Sequence, residues 1–225
     1  MHTRSTSRPP RYARIRNAKR AVDERAAAYA LLDASLFAHV GFVHEGRPMV
    51  MPMAFARAGD TLYLHGASKT RIMALTPGTP LCLETTRIDG LVIARSGFNH
   101  SMNYATVVVH GRGRAVEGEE LDRALDRVTE HLLPGRNREI RPMTAKERKA
   151  TGVVALDVEH VTMKVRAGPP NDPEEDRADG GWAGVLPIVT RFGTGEADAF
   201  TPPGTPEPPS LAAARARFGQ AEPAR

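Results

Sequence analysis

Between residues 36 and 166 the chain breaks repeatedly into short extended runs of apolar and β-branched residues, punctuated by glycine, proline and aspartate. Such runs read as strands and their punctuation as turns. Leu36 to Val43 is one strand, and His44-Glu45-Gly46 turns it into a hairpin of Met49 to Ala56 and Thr61 to His65, joined by Ala58-Gly59-Asp60. Pro80 to Thr86 and Leu91 to Arg95 are expected to form a second hairpin with a tight turn at Asp89-Gly90. Asn103 to Ala115 is the longest strand candidate, and Gly111 and Gly113 predict a bulge or bend near its end. Gly152 to Val158 and Val161 to Arg166 close or extend the sheet. Seven or eight hairpin-linked strands fit a small antiparallel barrel better than a doubly wound parallel sheet. The expected fold class is mainly β, a closed or split barrel with peripheral helices.

Helices fill the intervals. Ala18 to about Ala34 is rich in helix formers and is expected to lie across the outside of the sheet. From Glu119 to Leu133, Leu121, Ala124, Leu125, Val128 and Leu132 make one apolar stripe that Pro134-Gly135 ends. A short helix is expected within Pro142 to Ala150, and another after Ser68, with Ser68 as its N-cap. The polar, basic start and the proline-rich end divide the chain into a flexible arm (1–16), a barrel domain (17–190) and a flexible Pro/Ala-rich tail (191–225).

With 41% apolar residues in 225, the chain can bury a substantial core. No apolar run approaches the roughly 20 residues that span a bilayer, and the N-terminus lacks the apolar core of a secretory signal, so a soluble, cytoplasmic protein is expected. The lone Cys82 forms no intrachain disulfide and reads as a small core residue. Much of the net charge of +5 lies in the first 25 residues, which read as a solvated basic arm; nucleic acid is not the expected partner. No G-x-x-x-x-G-K, G-x-S-x-G or G-x-G-x-x-G pattern is present in its required context, and the histidines show no metal-binding spacing. Nucleotide hydrolysis by a P-loop, serine hydrolysis, a Rossmann cofactor and a metal centre are thereby set aside.

The chemistry concentrates where the first hairpin ends. Gly66 and Ala67 permit close approach of a ligand, and Ser68, Lys69, Thr70 and Arg71 add hydroxyls and two cations, a set suited to a phosphate. His65 ends the strand that leads into this turn. Asn103 and Tyr104 open the longest strand with an amide and a phenol able to meet the edge and face of a heteroaromatic ring.

HGASKTR at 65–71, HSMNYATVVVHGRGR at 100–114 and WAGVLPI at 182–188 together resemble the flavin-nucleotide-binding branch of the pyridoxamine 5'-phosphate oxidase-like family. Asp89-Gly90-Leu91, Pro134-Gly135-Arg136 and the run from Lys164 to Pro169 also match its landmarks. The resemblance implies an FMN-binding split β-barrel, with FMN at a homodimer interface and both chains contributing to each site. It places the backbone of Met51, Pro52 and Met53 beside the isoalloxazine, His65 and Ser68 along the ribityl phosphate, and Lys69, Thr70 and Arg71 on the phosphate. Asn103 and Tyr104 approach the flavin, and Trp182 covers it from the partner chain. Ala105 stands where the family often has arginine, and WAGVLPI lacks the Trp- and Arg-bearing ending of the vitamin B6 oxidases, so oxidation of pyridoxamine phosphate is not expected. The implied function is FMN-dependent oxidoreduction of a small molecule. The alternatives are a non-catalytic flavin carrier or sensor, a binder of deazaflavin F420 or haem as in other members of this fold, or nucleic-acid binding through the arm.

Overall fold

A computed structural model describes residues 9–178 and 180–219. Its eight strands are β1 (Ala21–Val22), β2 (Phe37–His44), β3 (Arg47–Ala58), β4 (Thr61–Ala67), β5 (Thr79–Ile93), β6 (Ser101–Ala115), β7 (Thr151–Arg166) and β8 (Gly184–Pro187). The helices are α1 (Arg25–Asp33), α2 (Gly118–Leu132), α3 (Ala145–Ala150), α4 (Glu174–Ala178) and α5 (Pro209–Phe218). Around the barrel the order is β7-β4-β3-β2-β5-β6, and β6 pairs back onto β7, so six antiparallel strands close a ring. Closure removes the exposed edges an open sheet of this size would carry.

The valine-rich runs expected as two strands are one long strand, β7, that serves two neighbours. Thr151 to Asp157 pairs with β4, while Val154 to Arg166 runs along β6. Beyond Asp157 β4 has ended, and β1 lies against Met163 and Lys164 instead. The ring splits there. The register of β6 on β7 shifts between His110 and Gly111, as the two glycines predict, and a Cβ on Gly111 would lie 2.0 Å from the Asp157 carbonyl oxygen. Only glycine allows that approach.

Asp89-Gly90 is not a hairpin turn. β5 runs straight through it with a bulge, pairing Gly90 with Asn103 on one side and Pro187 on the other. A Cβ on Gly90 would lie 2.9 Å from the Leu186 carbonyl oxygen, so the glycine admits β8 rather than reversing the chain. The expected first helix is likewise interrupted. Ala18 to Arg20 form a 3-10 turn and β1 follows, which leaves α1 to begin at Arg25. Rather than lying across the sheet, α1 sends Ala28, Leu31 and Leu32 into the same core as Val40, Phe55, Leu83 and Val107, closing one end of the barrel.

α2 covers the outside. Ala124 and Leu125 pack with Val153 and Ala155, and Glu120 accepts from Arg114 at 2.7 and 2.8 Å and from the Tyr63 hydroxyl at 3.0 Å. α3 begins with a capping box between Thr144 and Glu147. Part of the stretch expected as a loose tail is α5, whose Ser210, Ala214 and Phe218 are buried; Ser210 donates to Glu139 at 2.6 Å, and the Phe218 ring meets His131 edge-on. Cys82 lies half-buried on the outer side of β5, because its neighbours Leu81 and Leu83 take the inward positions of the alternation.

One outer face stays uncovered. Phe37 and Val43 on β2 and Val50 on β3 are 51%, 59% and 66% exposed, with Pro48 and Pro52 beside them in register. Among the described residues no helix is long and apolar enough to cross a membrane.

Candidate functional site

The turn after β4 is held by its own backbone. Ser68 N donates to Ala150 O at 2.9 Å, Thr70 N to Ala67 O at 3.0 Å, and Met73 N to Thr70 O at 2.9 Å. The helix that follows is a 3-10 segment, Arg71–Ala74, and Thr70 rather than Ser68 precedes it; the Thr70 hydroxyl turns back to Ala67 O at 2.9 Å. Four residues of 3-10 helix carry little dipole, so any anion here is held by side chains. Ser68, Lys69 and Arg71 are exposed, and neither cation forms an ion pair among the described residues.

Gly66 has a packing role. A Cβ there would meet Met73 Cε at 3.2 Å and Met53 Cε at 3.5 Å, and one on Gly152 would meet Met73 Sδ at 2.9 Å. Met73 is thus wedged between two glycines and pins the turn to the start of β7. His65 is half-buried, and burial pushes its pKa below the ordinary value, which leaves the ring neutral at pH 7. Met53 points into the core, Met51 packs against it, and Pro52 faces outward. Pairing of β3 with β4 stops at Ala54 and His65, so among the described residues the β4-facing edge of β3 at Pro52 and Met53 has no strand beside it, while β2 pairs its other edge. An open edge next to a cation-bearing turn can receive a planar ligand with a phosphate tail.

The other candidates stand elsewhere. Asn103 is buried, donating to Gly168 O at 3.2 Å and accepting from Arg166, which also donates to Gly168 O at 2.7 Å. Its amide ties β6 to the chain leaving β7. Tyr104 faces outward, with Lys164 Nζ 5.4 Å from its ring centroid. Burial works to raise the phenol pKa, but hydrogen bonding and charge from Lys164 and Arg20 outweigh it and hold the group below its ordinary value. Trp182 is 69% exposed and folds over Gly184 at the start of β8, which lies on the edge of β5 opposite to β6. Ala105 is buried in the barrel, so an arginine in this register would have pointed into the core.

The candidates therefore form two groups. Ala67 pairs with Thr151 at one end of β7, and Tyr104 pairs with Arg166 at the other. At about 3.3 Å per residue, nearly the whole of a long strand separates them. One chain places Met51 to Met53, His65 and Ser68 to Arg71 near the start of β7, and Asn103 and Tyr104 near its end, Asn103 turned inward and Tyr104 outward, with Trp182 further along β5 beside β8; the two ends of β7 stay apart. Sequence reading passed over Arg20 and Lys164, which flank Tyr104. Lys164 is one of only five lysines in the chain and lies within the Lys164-to-Pro169 landmark, which is a signal for it, whereas Arg20 falls within the basic stretch that reads as a solvated arm.

The model of the family described as pyridoxamine 5'-phosphate oxidase matches residues 24–165. Among solved structures, the flavocytochrome Anf3 from Azotobacter vinelandii is 36% identical with a TM-score of 0.84, covering 91% of this chain and 96% of that one. The FAD and heme binding protein from Mycobacterium smegmatis is 35% identical with a TM-score of 0.83, covering 87% of this chain and 97% of its own. No curated protein matches the sequence.

Proposed function

The chain belongs to the pyridoxamine 5'-phosphate oxidase family, and from that membership we propose that it is a flavin-binding homodimer that performs oxidoreduction on a small molecule. The observation that carries this reading is the division of the site. Neither end of β7 is sufficient alone, and a twofold-related copy can set the Tyr104 end of one chain against the turn of the other. The uncovered apolar face of β2 and β3 offers the surface on which copies meet.

In this arrangement Lys69 and Arg71, with the Ser68 hydroxyl, hold the phosphate of the FMN moiety, and the open β3 edge at Pro52 and Met53 runs beside the ring. Tyr104 and Trp182 of the second copy cover it. When bound, the flavin supplies hydride or electron exchange with the substrate. The chain binds and orients it and excludes water. Neutral His65 offers a ring nitrogen as proton acceptor, and Tyr104, held below its ordinary pKa, is the better donor.

Lys69→Ala with Arg71→Ala tests the phosphate end. Each charge-assisted contact contributes roughly 1.5–3 kcal/mol, so FMN affinity is expected to fall at least tenfold while riboflavin affinity holds. Equal loss of both ligands removes the phosphate role from the turn. Reduction of the bound flavin by a nicotinamide cofactor, followed by reoxidation by an acceptor, separates an enzyme from a carrier. A second reading, flavin together with haem, is favoured by the similarity to the flavocytochrome of Azotobacter vinelandii and to the FAD and heme binding protein of Mycobacterium smegmatis. The optical spectrum and mass of the released cofactors decide it.

A further inference from the structure

We propose that the cleft between the N-terminal arm and the sheet is a second anion site, one that takes the diphosphate of a dinucleotide. The arm crosses the outer face of β6 and β7 and bounds a cleft of about 380 Å³, lined by Arg14, Arg16, Arg20, Lys164, Tyr12 and His110 among others. No carboxylate lines it, and none of its four cations forms an ion pair among the described residues. Like charges drawn into one concavity repel unless an anion is seated among them. A single carboxylate would leave most of that charge unbalanced, whereas a diphosphate presents several oxygens to several cations at once.

The aromatic lining fits the rest of such a ligand. Tyr12 is 64% exposed and stands edge-on to His110, with ring centroids 5.1 Å apart, which leaves a flat apolar surface beside the cations for a purine. The cleft is separate from Lys69 and Arg71, which lie past the other end of β7. Which dinucleotide it holds rests on the flavin reading: FAD if the cleft of one chain meets the turn of the other, a nicotinamide dinucleotide donor if it does not. The cleft itself is tested without flavin.

Calorimetric titration of the full chain with ADP is expected to show binding that weakens as salt is raised. Arg16→Gln with Arg20→Gln, and separately Lys164→Gln, are expected to weaken ADP at least tenfold. Arg11→Gln, an exposed cation of the same arm outside the cleft, is expected to leave it unchanged. Arg16 is exposed and Arg20 half-exposed, so each variant is expected to fold, which circular dichroism checks. No ADP binding, an unchanged affinity in both cleft variants, or an equal loss in Arg11→Gln overturns the proposal. In a second arm, FAD, FMN and NADPH are compared. Loss confined to FAD or to NADPH in the cleft variants names the dinucleotide, and loss of FMN to the same degree as FAD overturns the assignment of the diphosphate to this cleft. A protein that binds ADP but neither FMN nor FAD sinks the flavin reading and leaves this site standing.

Discussion

His131 shows how a single buried group sets a pH limit on this barrel. It lies beneath α5 with Nε2 2.8 Å from Ser35 O and Nδ1 3.2 Å from the Arg217 guanidinium. Those partners require a neutral ring that donates from Nε2 and accepts at Nδ1. Burial first, and then the Arg217 charge, lower its pKa against the opposing pull of the Ser35 carbonyl. A folded pKa below the unfolded value near 6.5 means that the unfolded chain takes up the proton first. Stability is therefore expected to hold above about pH 6.5 and to fall as pH drops below it. His65 and His110 are also lowered, chiefly by burial, and act with the same sign. Stability measured by thermal unfolding between pH 7.5 and 5.5 should decline in the native chain, with His131 contributing at most about 1.4 kcal/mol per pH unit and the more exposed His65 and His110 less. In His131→Gln, which keeps a donor for Ser35, the decline should be shallower; an identical slope would show that His131 titrates normally.

At the scale of elements, two glycines in the same sheet are expected to behave differently. Gly111→Ala drives a Cβ to 2.0 Å from the Asp157 carbonyl oxygen inside the closed ring, where neither strand can retreat. A loss of about 3 kcal/mol or more is expected in chemical denaturation. Gly90→Ala pushes instead on β8, a strand outside the ring, at 2.9 Å from Leu186 O. The expected result is a nearly unchanged unfolding midpoint with weakened flavin binding, because Trp182 moves with β8. These two sites also mark what the sequence conveyed. Alternation and turn residues were enough to place β2, β3, β4 and α2 nearly to the residue, since each depends on its own period. Asp89-Gly90 misled because a glycine that admits a third strand has the same local signature as one that turns the chain. The single strand β7 looked like two because its halves serve different partners, a fact of tertiary pairing. The candidate site divides likewise: Lys69 and Arg71 are neighbours in the sequence and are seen together in any local reading, whereas the pairing of Lys164 and Arg20 with Tyr104 depends on register across β6, β7 and the arm.

For the whole molecule, the decisive property is that the site is expected to belong to two chains. A chain carrying Lys69→Ala and Arg71→Ala lacks the phosphate end in every site of its homodimer. One carrying Tyr104→Ala and Trp182→Ala lacks the covering end in every site of its own. When the two are unfolded together and refolded, random pairing makes about half of the dimers mixed, and in each of these one site collects all four substitutions while the other has none. About a quarter of all sites should then bind flavin as tightly as the native protein, although neither parent does. Fluorescence titration with FMN measures that fraction directly. If each site were built within one chain, every site would keep one defect or the other and no tight fraction would appear. The apolar face of β2 and β3 enters the same experiment. Val50→Glu, which places a charge at a 66% exposed position opposite Gly41, leaves the barrel core untouched and should convert the protein to monomers on sedimentation. On the proposed arrangement, in which the halves of the site meet across that face, the monomers should lose flavin with their pairing, while Lys69 and Arg71 remain in place.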